Sequence, residues 1–200
     1  MSQANSITHE DLWSIINDNQ YVTSCTSNKN KDINSLSYLI TRPLSQSDCI
    51  KLGVGVEKVL SDLIIKHTKH LNIKTKNIKG NKEKDHLFCN EETKTIYYAE
   101  LKANVNLDTE KSKSTYEKCL ELVESIKSEY PGYNVEWCLL AYRFLNYNDI
   151  SAVIKKKYVN IKDNLFGINQ YLSMLGIDLI FTDETYVAFL NNIANKMFDN

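Results

Sequence analysis

The chain has 200 residues and a mass of 23.1 kDa, and 42% of its residues are hydrophobic while 24% are charged. This composition is typical of a globular protein with a full hydrophobic core, and it excludes a disordered or fibrous chain. The 24 basic and 25 acidic residues nearly cancel, so the total charge indicates neither an acidic nor a basic partner.

Cellular location can be predicted from the apolar runs and the cysteines. The apolar runs are short, and none approaches the roughly 20 residues of a membrane span. The first ten residues are polar, where a signal peptide would have an apolar core. Five cysteines without a Cys-x-x-Cys pair are typical of reduced thiols and not of a zinc site. We therefore expect a cytoplasmic protein with no membrane partner.

The N-terminal segment is predicted to begin with a short helix over 7–17, for which Thr8 is the N-cap. The stretch 23–35 is rich in Ser, Asn and Lys and predicts a loop. We therefore expect this N-terminal segment to be largely irregular.

A long helix is predicted next, from an N-cap at Ser47 to about Leu71, because its apolar residues recur at helical spacing. Gly53 and Gly55 lie inside this helix, where glycine costs about 1 kcal/mol relative to alanine. They indicate either close packing against a strand or a frayed first turn.

The middle of the sequence changes to the period of β-strands. Three strands are predicted over 73–78, 86–89 and 95–102, separated by turns at Gly80-Asn81 and Asn90-Glu91. Short turns between consecutive strands predict an antiparallel three-stranded meander.

The second half is predicted to alternate helices with strands. An amphipathic helix over 112–130 is followed by a strand over 135–144 whose near-continuous apolar sequence predicts burial on both faces. Helices over 150–157 and 165–175, a short strand over 177–181 and a last helix over 186–198 complete the chain. The apolar positions predicted for the helix over 112–130 are Tyr116, Leu120, Val123 and Ile126, and those for the last helix, as core or dimer interface, are Tyr186, Leu190, Ile193 and Met197.

The order of elements predicts the fold class. A helix, three antiparallel strands, a helix and a further strand correspond to an α/β (α+β) fold with one mixed sheet flanked by helices. We expect a single domain over 1–200.

Three charged residues of the meander can converge at one end of the sheet. Alternation along the third strand places Glu100 and Lys102 on the same face and turns Leu101 into the core. If the second and third strands pair through the Asn90-Glu91 turn, Asp85 lies beside Glu100. Two carboxylates at one spot repel each other unless a cation lies between them, so the arrangement suits Mg²⁺.

The pattern Asp85-x14-Glu100-Leu101-Lys102 resembles the motif of the PD-(D/E)xK nucleases, and the resemblance covers roughly 47–145. The family's fold has the same order of elements, which implies a restriction-endonuclease-like core. One departure is Lys84, which stands where the family often has proline. The family's first helix often carries a glutamate that assists the metal site, and Glu57 has the corresponding position.

The resemblance implies a type II restriction endonuclease, which hydrolyses both strands of DNA at a short specific site. It implies that Asp85 and Glu100 hold Mg²⁺, that Lys102 positions the attacking water and that Glu57 supports the site. Palindromic cutting implies a homodimer, and a DNA methyltransferase acting on the same site is a further expected partner. The segments 1–46 and 146–200 are expected to serve recognition or dimerisation.

Lysines near the meander are the candidates for contacts with DNA phosphates, which give affinity without sequence choice. These candidates are Lys74, Lys76, Lys79, Lys82, Lys111 and Lys113.

Two other functions and one ordinary explanation remain open from the sequence. The same fold is compatible with a repair nuclease or a junction resolvase, and a DNA-binding module without catalysis is a third candidate. Glu100 and Lys102 could also be plain cross-strand surface charges. Their apolar neighbours argue against this last explanation, because charges in a buried strand are costly unless they are paired or used.

Overall fold

A computed structural model describes residues 7–25, 44–74 and 83–198. The chain divides into two compact units, one of Met1–His67 with Gly176–Asn200 and one of Thr68–Leu175. The expected catalytic core, 47–145, therefore takes its first helix from one unit and its strands from the other. That the whole chain acts as a single nuclease domain stays a prediction.

The first unit is helical. It contains α1 (His9–Asp18), α2 (Gln20–Ser24), α3 (Gln46–His67) and α7 (Asp183–Phe198), and these four helices pack on one another. Each buries one apolar face, as the helical spacing of its apolar residues requires. The stripe on α7 predicted from the sequence is buried, so it is core.

Of two helix caps predicted in this unit, one is confirmed and one is wrong. Thr8 caps α1 as predicted, in a capping box that Asp11 completes. The cap of α3 was placed wrongly, because the hydroxyl of Ser45, and not that of Ser47, accepts the hydrogen bond from the Asp48 amide at 3.0 Å. The predicted loop over 23–35 is wrong at its start, since Thr23 belongs to α2, and 26–43 lie outside the described residues.

Gly55 is a point of close approach between two helices. A Cβ atom at this position would lie 2.7 Å from the sulfur of Met197 in α7. The glycine therefore permits helix–helix packing, and the predicted packing against a strand or fraying is wrong for this residue. The strand predicted over 177–181 is also wrong, because this segment approaches α7 as irregular chain.

The second unit contains a five-stranded mixed sheet. Its strands are β1 (Leu71–Asn72), β2 (His86–Asn90), β3 (Thr95–Lys102), β4 (Asn134–Ala141) and β5 (Leu165–Phe166), and they lie side by side in chain order. The first three are antiparallel, as the predicted meander requires, whereas β4 and β5 are parallel to β3. The α+β class, with a mixed sheet flanked by helices, is confirmed.

Helices cover both faces of this sheet. On one face, α4 (Thr109–Glu129) and α5 (Ala152–Lys157) share a core with alternate residues of β2, β3 and β4. On the other face, α6 (Ile168–Met174) places the hydroxyl of Tyr171 2.6 Å from Nδ1 of His86. Alternation along β2 turns His86 away from the α4 face.

Four predictions for this unit need correction. The first strand was predicted over 73–78, but it is Leu71–Asn72. Residues 75–78 lie outside the described residues. Leu120 is 41% exposed, because α4 is rotated so that the small side chain of Cys119 faces the core instead. Only the second half of β4 is buried on both faces. The helix predicted over 165–175 begins at Ile168, since Leu165–Phe166 pairs with β4 as an edge strand.

Within the described ranges, no helix combines the length and the hydropathy that crossing a bilayer requires. The predicted cytoplasmic location stays a prediction.

Candidate functional site

Pairing of β2 with β3 brings Asp85 next to Glu100. The last pair in the register is His86 with Ala99, so one further step places Asp85 across from Glu100. Residues that face each other across an antiparallel pair point to the same side of the sheet. The amide of Leu101 donates a hydrogen bond of 2.7 Å to Oδ2 of Asp85, which fixes this carboxylate at the end of the two strands.

Glu100 and Lys102 share one face of β3, as alternation predicted. Nζ of Lys102 lies 2.8 Å from Oε1 of Glu100. Leu101, between them, is buried on the opposite face. The pair lies on the face that α4 covers, and the side chain of Glu100 is only 1% exposed.

A second lysine, Lys118 of α4, completes the surroundings of Glu100. Its Nζ donates to both carboxylate oxygens, at 2.8 Å to Oε1 and 2.9 Å to Oε2. The hydroxyl of Tyr98, on the same strand face, donates to Oε2 at 3.3 Å. Glu100 is thus held by one strand neighbour on each side and by the helix above it.

The charges of this cluster stabilise one another against burial. Burial by itself raises the pKa of Glu100, but Lys102 and then Lys118 outweigh it and hold that pKa below its usual value. Burial likewise lowers the pKa of Lys102, yet Glu100 and, less strongly, Asp85 raise it above its usual value. The carboxylate and the ammonium are therefore both ionised near neutral pH.

Next to this cluster is a cavity of about 370 Å³. Its walls are Glu100 and Lys102 from the sheet and, from α4, Ser114, Thr115, Glu117, Lys118 and Glu121. The polar face of α4 thus forms one side of the cavity and the end of β3 forms its floor. Three carboxylates and two ammonium groups face this space, which suits a ligand that carries both an anionic group and a cation.

The donor set fits a hard divalent cation. Asp85 and Glu100 offer carboxylate oxygens, and Mg²⁺ is typically held by one or two protein carboxylates while water and substrate phosphate complete its coordination. Across the described ranges, no three His, Cys, Asp or Glu side chains form a metal-binding group. Of these two carboxylates, Glu100 lines the cavity, and Asp85 lies across from it at the strand ends.

Cys119 lies beside the cluster but does not suit nucleophilic chemistry. Burial and then Glu100 raise the pKa of its thiol to about 12. The nucleophilic form of cysteine is the thiolate, so Cys119 is inert near neutral pH. The buried hydroxyl of Tyr98 also has a raised pKa, from burial and from Cys119 and Glu100, and acts as a hydrogen-bond donor.

Glu57 belongs to the first unit. It lies in α3 and is half-buried. Its predicted assistance to the metal site in the second unit stays a prediction.

The predicted DNA-binding lysines fall into two groups. Lys76, Lys79 and Lys82 lie outside the described residues. The other three are near carboxylates: Lys74 is 3.9 Å from Glu83, Lys111 is 3.2 Å from Asp108 and Lys113 is 3.7 Å from Glu117. Lys111 and Lys113 are exposed at the start of α4, the helix that lines the cavity.

Sequence reasoning missed Lys118. α4 carries four lysines, at 111, 113, 118 and 127, and helical spacing alone does not select one of them. The available signal is the neighbouring Cys119, a small residue at a position that faces the strands. To select Lys118, one must know how α4 is rotated about its axis. The apolar pattern predicts this rotation wrongly, because it places Leu120 on the buried face whereas Leu120 is exposed.

Comparison with known proteins adds no relative: no protein-family profile matches the chain, and no curated protein or solved structure is significantly similar to it.

Proposed function

We propose that the protein is a Mg²⁺-dependent nuclease that hydrolyses phosphodiester bonds in double-stranded DNA at a specific site. The observation that carries this proposal is the buried Glu100, paired with Lys102 and across from Asp85, at the strand ends that border a cavity. A fully buried carboxylate is costly unless it has a task or a partner, and here its partners face a space that a ligand can enter.

The order of elements supports the same function. A helix, three antiparallel strands, a helix and a strand parallel to the third occur in the order expected of a PD-(D/E)xK nuclease. Asp85 directly precedes β2, and Glu100 and Lys102 lie at the end of β3, which are the positions that the resemblance implies for them. Cutting of a palindrome by this site would need a homodimer, so that each copy cuts one strand.

Each side chain has a specific task in this proposal. Asp85 and Glu100 would bind the cation, whose role when bound is to stabilise the negative charge that develops on the phosphate. The ammonium of Lys102 donates hydrogen bonds, so it would orient the attacking water and contact the phosphate. Lys111 and Lys113, at the start of α4, would contact phosphates further along the DNA.

The experiment is cleavage of a long plasmid or phage DNA with Mg²⁺, compared with EDTA and with the Lys102→Ala variant. Lys127→Ala is the matched control, because Lys127 is an exposed lysine of α4 paired with Glu124. We expect discrete fragments that disappear with EDTA, a rate lower by about 10²- to 10⁴-fold for Lys102→Ala and an unchanged rate for the control.

The other outcomes select among the alternatives. A smear, or cutting of branched DNA only, would favour a repair nuclease or a junction resolvase. A Lys102→Ala variant that cuts like the wild type would contradict the assigned site. Binding of DNA without any cutting would favour the non-catalytic module.

A further inference from the structure

All acceptor positions of the Glu100 carboxylate are occupied by donors of this chain. A carboxylate has about four lone-pair sites on its two oxygens. Oε1 accepts from Lys102 and Lys118, and Oε2 accepts from Lys118 and Tyr98. A cation that coordinates Glu100 must therefore displace at least one of these donors.

We propose that Lys118 is a positioning residue that orients the Glu100 carboxylate through both of its oxygens, and that a divalent cation binds by exchange with its ammonium group. The proposal rests on the proposed function, which assigns the cation to Glu100. It goes beyond that function because it predicts that a residue outside the motif sets the affinity of the cation site.

The geometry favours Lys118 over the other two donors. Lys118 alone contacts both oxygens, so its departure opens one site on each, and a cation can then coordinate either oxygen. Tyr98 is fully buried and cannot withdraw. The contact of Lys102 is with Oε1, so its departure would open a site on that oxygen only.

The displaced ammonium group of Lys118 stays close to a second carboxylate of the cavity. Glu121 lies three residues after Lys118 on α4 and lines the same cavity. Side chains three apart on a helix are neighbours, so a rotation of the Lys118 side chain can bring its ammonium from Glu100 to the carboxylate of Glu121. The exchange therefore moves a side chain and leaves the helix in place.

The test is the affinity for Mn²⁺ without DNA, measured by calorimetry or by the paramagnetic resonance of free Mn²⁺. We expect Lys118→Met, which keeps an unbranched side chain without the terminal ammonium group, to bind Mn²⁺ about tenfold more tightly than the wild type. Lys118→Arg retains a two-oxygen donor and should bind no more tightly than the wild type. Lys127→Met removes one charge from the exposed part of α4 and controls for net charge.

A measurement on the unaltered protein keeps the proposal testable if Lys118→Met does not fold. Titration with Mg²⁺ should shift the ¹⁵N signal of the Lys118 ammonium and leave that of Lys127 unchanged. A Lys118 signal that does not respond at saturating Mg²⁺ would overturn the exchange.

Glu100→Gln separates failure of the exchange from failure of the proposed function. If Mn²⁺ binding depends on Glu100 but Lys118→Met is no tighter than the wild type, only the exchange is overturned. If neither the wild type nor Lys118→Met binds Mn²⁺, the metal role of Glu100 fails, and the proposed function fails with it. The same holds if Glu100→Gln binds Mn²⁺ like the wild type.

Discussion

The two ends of the β2–β3 hairpin carry the same kind of ion pair in opposite surroundings. At the turn, Nζ of Lys94 lies 2.8 Å from Oε2 of Glu91, and Tyr133 also donates to this carboxylate. At the open end, Nζ of Lys102 lies 2.8 Å from Oε1 of Glu100. The side chain of Glu91 is 55% exposed, whereas that of Glu100 is 1% exposed.

This comparison separates contact distance from energetic consequence. Water solvates the turn pair with or without its partner, so the pair contributes little to the free energy of unfolding. At the buried end the Glu100 carboxylate has given up its water, so loss of its partners leaves a charge without compensation. The buried end also borders a cavity with further charged groups, which is why it is the candidate site.

The largest expected effect is that of removing both lysines from Glu100. The double variant Lys102→Met with Lys118→Met should lose about 3–5 kcal/mol of the free energy of unfolding near pH 7, because the carboxylate stays buried without an ammonium. Urea unfolding measures this loss. The matched control is Lys94→Met with Lys127→Met, two exposed lysines of the same unit, and an equal loss in the control would contradict the comparison.

A smaller effect is expected in acid from Glu100→Gln. The folded state holds the pKa of Glu100 below its ordinary value of 4.5, so the unfolded state binds the proton first as the pH falls. The stability that Glu100 contributes is therefore present above pH 4.5 and is lost below it. The difference in unfolding free energy between wild type and variant should shrink as the pH falls below 4.5, and a difference independent of pH would refute the ionised pair.

The smallest effect is expected at the turn. Hydrogen bonds from Lys94 and then Tyr133 lower the pKa of Glu91 to about 2, so any contribution of this carboxylate is lost only between pH 4.5 and about 2. Near neutral pH, Glu91→Gln should shift the melting temperature only slightly, and about 0.5 M NaCl should remove the shift by screening. A shift as large as that of Glu100→Gln, or one that salt does not change, would show that exposure does not distinguish the two ends.

Local patterns predicted the elements well where the outcome depends on residues that are close in the sequence. β3 has the predicted bounds, and Thr8 caps α1 as predicted. Predictions failed where the outcome depends on a distant partner. A helix was predicted over 165–175, but Leu165–Phe166 forms a strand because it pairs with the edge of β4.

The sequence by itself determined that Glu100 and Lys102 share a face, because strand alternation is a local property. It predicted that Asp85 lies beside Glu100 only if β2 and β3 pair, and the predicted turn at Asn90-Glu91 is wrong, because Asn90 pairs with Thr95 and the turn is 91–94. It did not determine that Lys118 completes the cluster. That contact depends on how α4 is rotated over the sheet, and this rotation is set by the packing of Cys119, Leu122, Val123 and Ile126 against the strands. The helical pattern predicts that α4 forms, but only the packing of its buried face against the sheet decides which side chain reaches the buried carboxylate.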